Sequence, residues 1–184
     1  MATPVATHSR HTGITFFCVG AVLAGLLSPA PVAAAEPPGT QYAAFHDIVK
    51  RGPSIHRDIP NYLVNRQLSA AFHDALKRIR GLESCRGLFE RLGADGFEVL
   101  ADTTYIYAET GSFRSVCDAA CAFTTVGGSM VGLCAQFGRI SVADAAQVLI
   151  HEALHNAGLT EQPSDPDGPT PDEIDDMVVH ACGF

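Results

Sequence analysis

Basic residues are scarce in this chain: 12 Lys and Arg stand against 20 Asp and Glu in 184 residues, a formal net charge of −8. Nucleic acids and anionic membranes attract cationic faces, so neither is an expected partner. A long apolar run is also missing. The stretch from Ile14 to Leu27 falls short of the ~20 residues that a comfortable membrane span requires. Calcium-loop spacing is lacking around Asp165 and Asp167, which read as part of a solvated loop. What remains is a composition of 47% hydrophobic and 17% charged residues, enough for one domain with a real core.

The short apolar run has a different reading. Arg10, flanked by His8 and His11, precedes it, and Ala33-Ala34-Ala35 follow it with small residues suited to cleavage before Glu36. Residues 1–35 are therefore expected to be an export signal, with an uncleaved anchor as the alternative, and the protein to be secreted or periplasmic. Cys18 lies inside the run, not at its end, which argues against a lipoprotein site. Residues 36–60 read as a Pro-Gly linker and N-terminal segment, with a short helix near 42–49 and surface histidines at His46 and His56. Residues 61–184 form the expected domain.

Within it, Leu68, Ala71, Phe72, Ala75, Leu76 and Ile79 recur at helical spacing, so 61–80 reads as a helix stopped by Gly81. A second helix is expected from Glu83 to Leu92, ending at Gly93. Phe97–Leu100 and Thr104–Ala108 are rich in β-branched and aromatic residues and read as strands. Tyr105 and Tyr107 are expected to pack. Gly127-Gly128 between two apolar arms, 122–126 and 129–134, reads as a two-residue hairpin turn. Thr170-Pro171-Asp172-Glu173 is a helix start with Thr as cap and Pro at the first position, opening a helix to about His180.

After signal removal five cysteines remain: Cys85, Cys117, Cys121, Cys134 and Cys182. In an exported chain they favour disulfides, and an odd number leaves one over. Hairpin counting puts residue 121 opposite 134 at a non-hydrogen-bonded position, where side chains come closest. Cys121–Cys134 is the favoured pair and Cys117–Cys134 its rival; Cys85 with Cys182 would tie the first helices to the C-terminus. A zinc held by Cys117 and Cys121 is the minor alternative.

The chemistry concentrates in 150–161, Ile-His-Glu-Ala-Leu-His-Asn-Ala-Gly-Leu-Thr-Glu. His151 and His155 lie one turn apart on one face of a helix, so both imidazoles can reach one ion. Glu152 sits about 100° round that helix, placed to act as a general base on water. Val142, Ala145, Ala146, Leu149, Ile150 and Ala153 gather on the opposite side as a packing face. Ser141 reads as the N-cap with Asp144 as its partner, and Gly158 as the left-handed stop that turns Glu161 back toward the same ion.

This H-E-x-x-H segment resembles the zincin metallopeptidases, and H-E-x-x-H-x-x-G-x-x followed by a third ligand resembles their metzincin branch. It is similar, too, to small cysteine-containing secreted bacterial zincin-like proteins. The resemblance covers about a dozen residues. It implies zinc as cofactor, His151 and His155 as ligands, Glu152 as base, Glu161 in the third-ligand place, and a peptide or protein as substrate. Metzincins usually have His there, sometimes Asp, and they add a methionine turn; this chain has Glu, and only Met177 follows. The gluzincin branch takes its third ligand from a later helix, which makes Glu173 the rival of Glu161. Zincins place a sheet edge beside the active helix, where extended substrate pairs, and one arm of the hairpin is the candidate.

The expected architecture is α+β and zincin-like: N-terminal helices, a small twisted sheet with a hairpin, the active-site helix and a C-terminal helix. The expected function is zinc-dependent peptide hydrolysis. The alternatives are a zinc-binding protein without peptidase activity and a structural, disulfide-stapled exported domain.

Overall fold

The computed structural model describes residues 21–22, 52–55, 59–109 and 113–184. The rest of the expected signal and linker, with the helix near 42–49, His46 and His56, lies outside the described residues.

Asn61 starts the first helix. Its side chain accepts from the amides of Leu63 and Val64, and α1 then runs Tyr62–Gly81. The apolar residues spaced by helical turns are all buried: Val64, Leu68, Ala71, Phe72, Ala75, Leu76 and Ile79. They face the site-bearing helix α4, Val142–Asn156, and that pairing is the centre of the core. Between them come α2, Glu83–Glu90, and α3, Gly96–Asp102; the C-terminal helix α5 spans Pro171–Cys182. No described helix is long and apolar enough to cross a membrane.

The helix α3 corrects the strand expected at Phe97–Leu100. Asp95 Oδ1 accepts from the amides of Phe97 at 2.8 Å and Glu98 at 3.4 Å, which fixes the first turn of a helix. That cap, followed by burial of Leu100, outweighs the strand preference of the short Phe-Glu-Val-Leu run.

The sheet contains β1 (Ala21–Val22), β2 (Ser54–Ile55), β3 (Thr104–Tyr107), β4 (Ala122–Thr124) and β5 (Met130–Leu133), in the order β1-β4-β5-β3-β2. Only β4–β5 is antiparallel; the other neighbours run parallel. The fold is therefore α+β with a small mixed sheet, as expected. Tyr105 is buried against Phe72 in an edge-to-face contact, while Tyr107 receives a hydrogen bond from Asn61 Nδ2 at 3.3 Å. Both tyrosines serve packing.

The hairpin register is the expected one, with Phe123 opposite Gly132 and Thr124 opposite Val131. A Cβ at Gly132 would run into the Phe123 ring, so this glycine lets the aromatic side chain lie across the neighbouring strand. The phase of the ladder differs from expectation. Gly128 N donates to Thr125 O, closing the turn over 125–128, and Cys134 N donates to Cys121 O. Residues 121 and 134 are thus a hydrogen-bonded pair, whose side chains stand farther apart.

That phase explains the corrected disulfide. Cys134 bonds to Cys117, not Cys121; Cys117 arrives on a short 3-10 turn, Val116–Asp118. Gln136 Nε2 donates to Cys117 O and holds the turn in place. Cys121 is itself disulfide-bonded and no described cysteine is free, so a Cys117/Cys121 zinc site is not present among the described residues. Cys85–Cys182 forms as expected, its two ends 97 positions apart in sequence. A loop of that length gives about 4–5 kcal/mol in the chain-entropy account. The Cys85–Cys182 and Cys117–Cys134 bonds fit an oxidising compartment, extracellular or periplasmic.

Candidate metal centre

Ser141 Oγ accepts from Asp144 N at 3.1 Å and starts α4. Ala145, Ala146, Leu149, Ile150 and Ala153 are buried as the packing face, whereas Val142, in the first turn, is exposed. From the other side His151 and His155 bring their Nε2 atoms to 3.0 Å from one another.

The end of α4 completes the site. Gly158 takes φ of 104°, a conformation that strains any residue with a Cβ. Gly158 N donates to His155 O and Leu159 N to Leu154 O, both at 2.9 Å, the paired closure of a Schellman motif. This turn does two things. It sets the Leu159 carbonyl 2.7 Å from His155 Nδ1, and it sends the chain back so that Glu161 Oε2 lies 3.5 Å from His155 Nε2 and 3.7 Å from His151 Nε2. The following loop is closed on itself by Gln162 N to Pro169 O and Asp165 N to Glu161 O, which fixes the backbone under Glu161. Asp165 and Asp167 belong to that loop, with Asp165 accepting from Thr160 and Asp167.

His151, His155 and Glu161 are the group that can hold a metal ion among the described residues. Hydrogen-bond logic says why a cation suits it. A carbonyl only accepts, so His155 Nδ1 carries hydrogen and Nε2 is the ring atom left to bind an ion. His151 Nδ1 likewise faces a carboxylate, Asp175 Oδ1, at 2.8 Å. Once His151 gives up its Nε2 hydrogen, two ring lone pairs and a carboxylate oxygen converge. Glu161 Oε2 and Glu152 Oε2 are buried without any hydrogen-bond partner. An unsatisfied buried polar atom costs about 1–3 kcal/mol, more when charged. The spacing also suits an ion: ligands at zinc distances on a tetrahedron stand about 3.4 Å apart, against 3.0, 3.5 and 3.7 Å here.

Electrostatics agree. Burial alone would lower the His151 pKa. The hydrogen bond to Asp175 and the nearby carboxylates of Glu161, Glu152 and Asp175 outweigh burial and raise it to about 10. Burial would likewise raise Glu161, but the two histidines beside its carboxylate take it down to about 2. Glu152 is shifted upward, chiefly by burial, against the opposing pull of His151 and His155. Without metal, then, a proton on His151 supplies the positive charge.

This proton has a measurable consequence. A ligating imidazole must be neutral, so metal uptake near pH 7 expels the His151 proton, whereas Glu161 is already ionised. Calorimetric titration with zinc in buffers of different ionisation enthalpy is expected to show release of about one proton per ion. Affinity should climb roughly tenfold per pH unit until pH approaches 10.

Glu173, the alternative third ligand, is committed elsewhere. Its Oε2 accepts from Thr170 N at 2.8 Å and Thr170 Oγ1 at 3.0 Å in the capping box that starts α5. Asp175 is the residue that sequence reasoning passed over. The signal was helical phase: positions 171, 175, 178 and 182 share a face, and Val178 and Cys182 on it are buried. An acid on that face was a candidate for an inward partner.

No family model, curated protein or solved structure matches this chain.

Proposed function

We propose that this chain is an exported zinc-dependent peptidase, with His151, His155 and Glu161 as the metal ligands and Glu152 as the general base. One observation carries the reading: Glu152, whose buried Oε2 has no partner, stands on the same helix as two histidines that converge with Glu161. Two imidazoles and one carboxylate suit zinc and leave a coordination position open. When bound, the ion supplies positive charge that polarises a carbonyl and acidifies water.

The chain's own groups do the rest. Glu152 accepts the proton of the attacking water and returns it to the leaving amine. An upward-shifted carboxyl suits both halves of that exchange. Asp175 and the Leu159 carbonyl keep the two rings oriented. Thr124, on β4, accompanies the site: its hydroxyl contacts Asn156 Oδ1 at 2.7 Å, and Gly127 N donates to His155 O at 2.8 Å. Loss of residues 1–35 would also remove β1 and leave β4 as a free edge for an extended peptide.

A second reading has its own support. His151, Glu152, His155 and Glu161 are all at most 3% exposed, which suits an exported zinc-binding domain that cleaves nothing. The test separates the two. The purified protein is expected to contain about one zinc per chain and to cut members of a broad peptide library. A chelator should stop that cutting and added zinc restore it. Stoichiometric zinc without cleavage selects the second reading; no zinc at all removes both and leaves a structural domain.

A further inference from the structure

We propose that Asp175 is the positioning residue of the metal centre, holding His151 in the tautomer and rotation that aim its Nε2 at the ion. The inference rests on the metal-binding reading above. It adds a residue from outside the motif and a route by which the C-terminal helix acts on the site.

The two imidazoles are held differently. His155 Nδ1 is fixed by a backbone carbonyl, Leu159 O, supplied by the turn that ends its own helix. His151 has no such local partner; its Nδ1 is met by Asp175 Oδ1, 24 residues downstream on α5. With hydrogen on Nδ1, only Nε2 can donate a lone pair, and Nε2 is the atom that faces His155 and Glu161. A carboxylate at that place also makes the ring a stronger donor than a carbonyl would.

Asp175 is well supported for the task. The Thr170–Glu173 capping box fixes the start of α5. At the other end Cys182 is bonded to Cys85, Arg78 Nη1 donates to Cys182 O at 2.9 Å and Gly183 O at 2.6 Å, and Ser84 Oγ donates to Ala181 O. Ile174 and Val178, on either side of Asp175, are buried in the core. The helix therefore behaves as a rigid arm whose carboxylate stays where the ring needs it.

The experiment measures zinc dissociation constants of full-length variants by competition with a chromophoric chelator. Asp175→Ala is expected to bind about 10–100-fold more weakly, the usual effect of removing such an outer partner. Asp175→Asn, whose amide oxygen still accepts from Nδ1, should recover most of that loss. Asp176→Ala, an exposed neighbour on the same helix, should bind like the parent. Asp175→Ala that is folded and binds as tightly as the parent overturns the proposal. Should that variant not fold, long-range proton–nitrogen spectra of the zinc-loaded parent decide: hydrogen on His151 Nδ1 supports it, and hydrogen on Nε2 overturns it. A parent that binds no zinc defeats the underlying metal reading instead, so the two failures are distinguishable.

Discussion

Replacing His155 with Ala is expected to weaken zinc binding by roughly a thousandfold or more while leaving the fold in place. A structural zinc site is worth about 10–16 kcal/mol, so one ligand among three carries on the order of 4 kcal/mol. His155 is fully buried, and its ring supplies one of two converging lone pairs. The substitution removes that donor together with the contact to Leu159 O. The helix itself does not depend on the ring: Ala is the better helix former, and the packing face of Ala146, Leu149, Ile150 and Ala153 is untouched. Metal analysis should find close to no zinc, with circular dichroism like that of the parent. A variant that retained stoichiometric zinc would show that the ion sits elsewhere.

Glu152→Gln tests the chemistry rather than the ion. The amide has the shape of the carboxylate but cannot take a proton from water, and losing a general base costs about 10²–10⁴ in rate. Peptide cleavage should fall by that amount, with zinc content unchanged. Stability of the metal-free protein should not drop, because the native Oε2 is buried with no partner and a neutral group is cheaper to bury. Undiminished cleavage by Glu152→Gln would remove Glu152 from the mechanism.

Much of this centre was legible in the chain because it is local. Residues 141–161 supply the cap, the packing face, both imidazoles, the turning glycine and Glu161, all within reach of helical periodicity and the Schellman rule. The α1 stripe from Leu68 to Ile79 was legible for the same reason. What escaped was decided by single hydrogen bonds or by distant contacts. Asp95 turned Phe97–Leu100 into a helix through two amide bonds. Closing the hairpin turn at Thr125–Gly128 inverted the alternation of the ladder and with it the cysteine that Cys134 could reach. Asp175 became a partner of His151 only because α5 folds back onto α4; helical phase marks it as an inward-facing acid but does not say which residue it meets. Glu161 against Glu173 was a choice between two acids that spacing left open; Glu161 stands with the two histidines, while Glu173 caps a helix start.

The bond between Cys85 and Cys182 encircles His151, Glu152, His155, Glu161 and Asp175, and the Cys117–Cys134 bond nests inside it. An oxidising compartment outside the cytoplasm also holds proteases. A single nick anywhere between those outer cysteines, in the proline-rich stretch 163–171 for instance, leaves both fragments on one covalent hoop. Clipped molecules would then run as separate bands only after reduction, and could keep their ion while already cut.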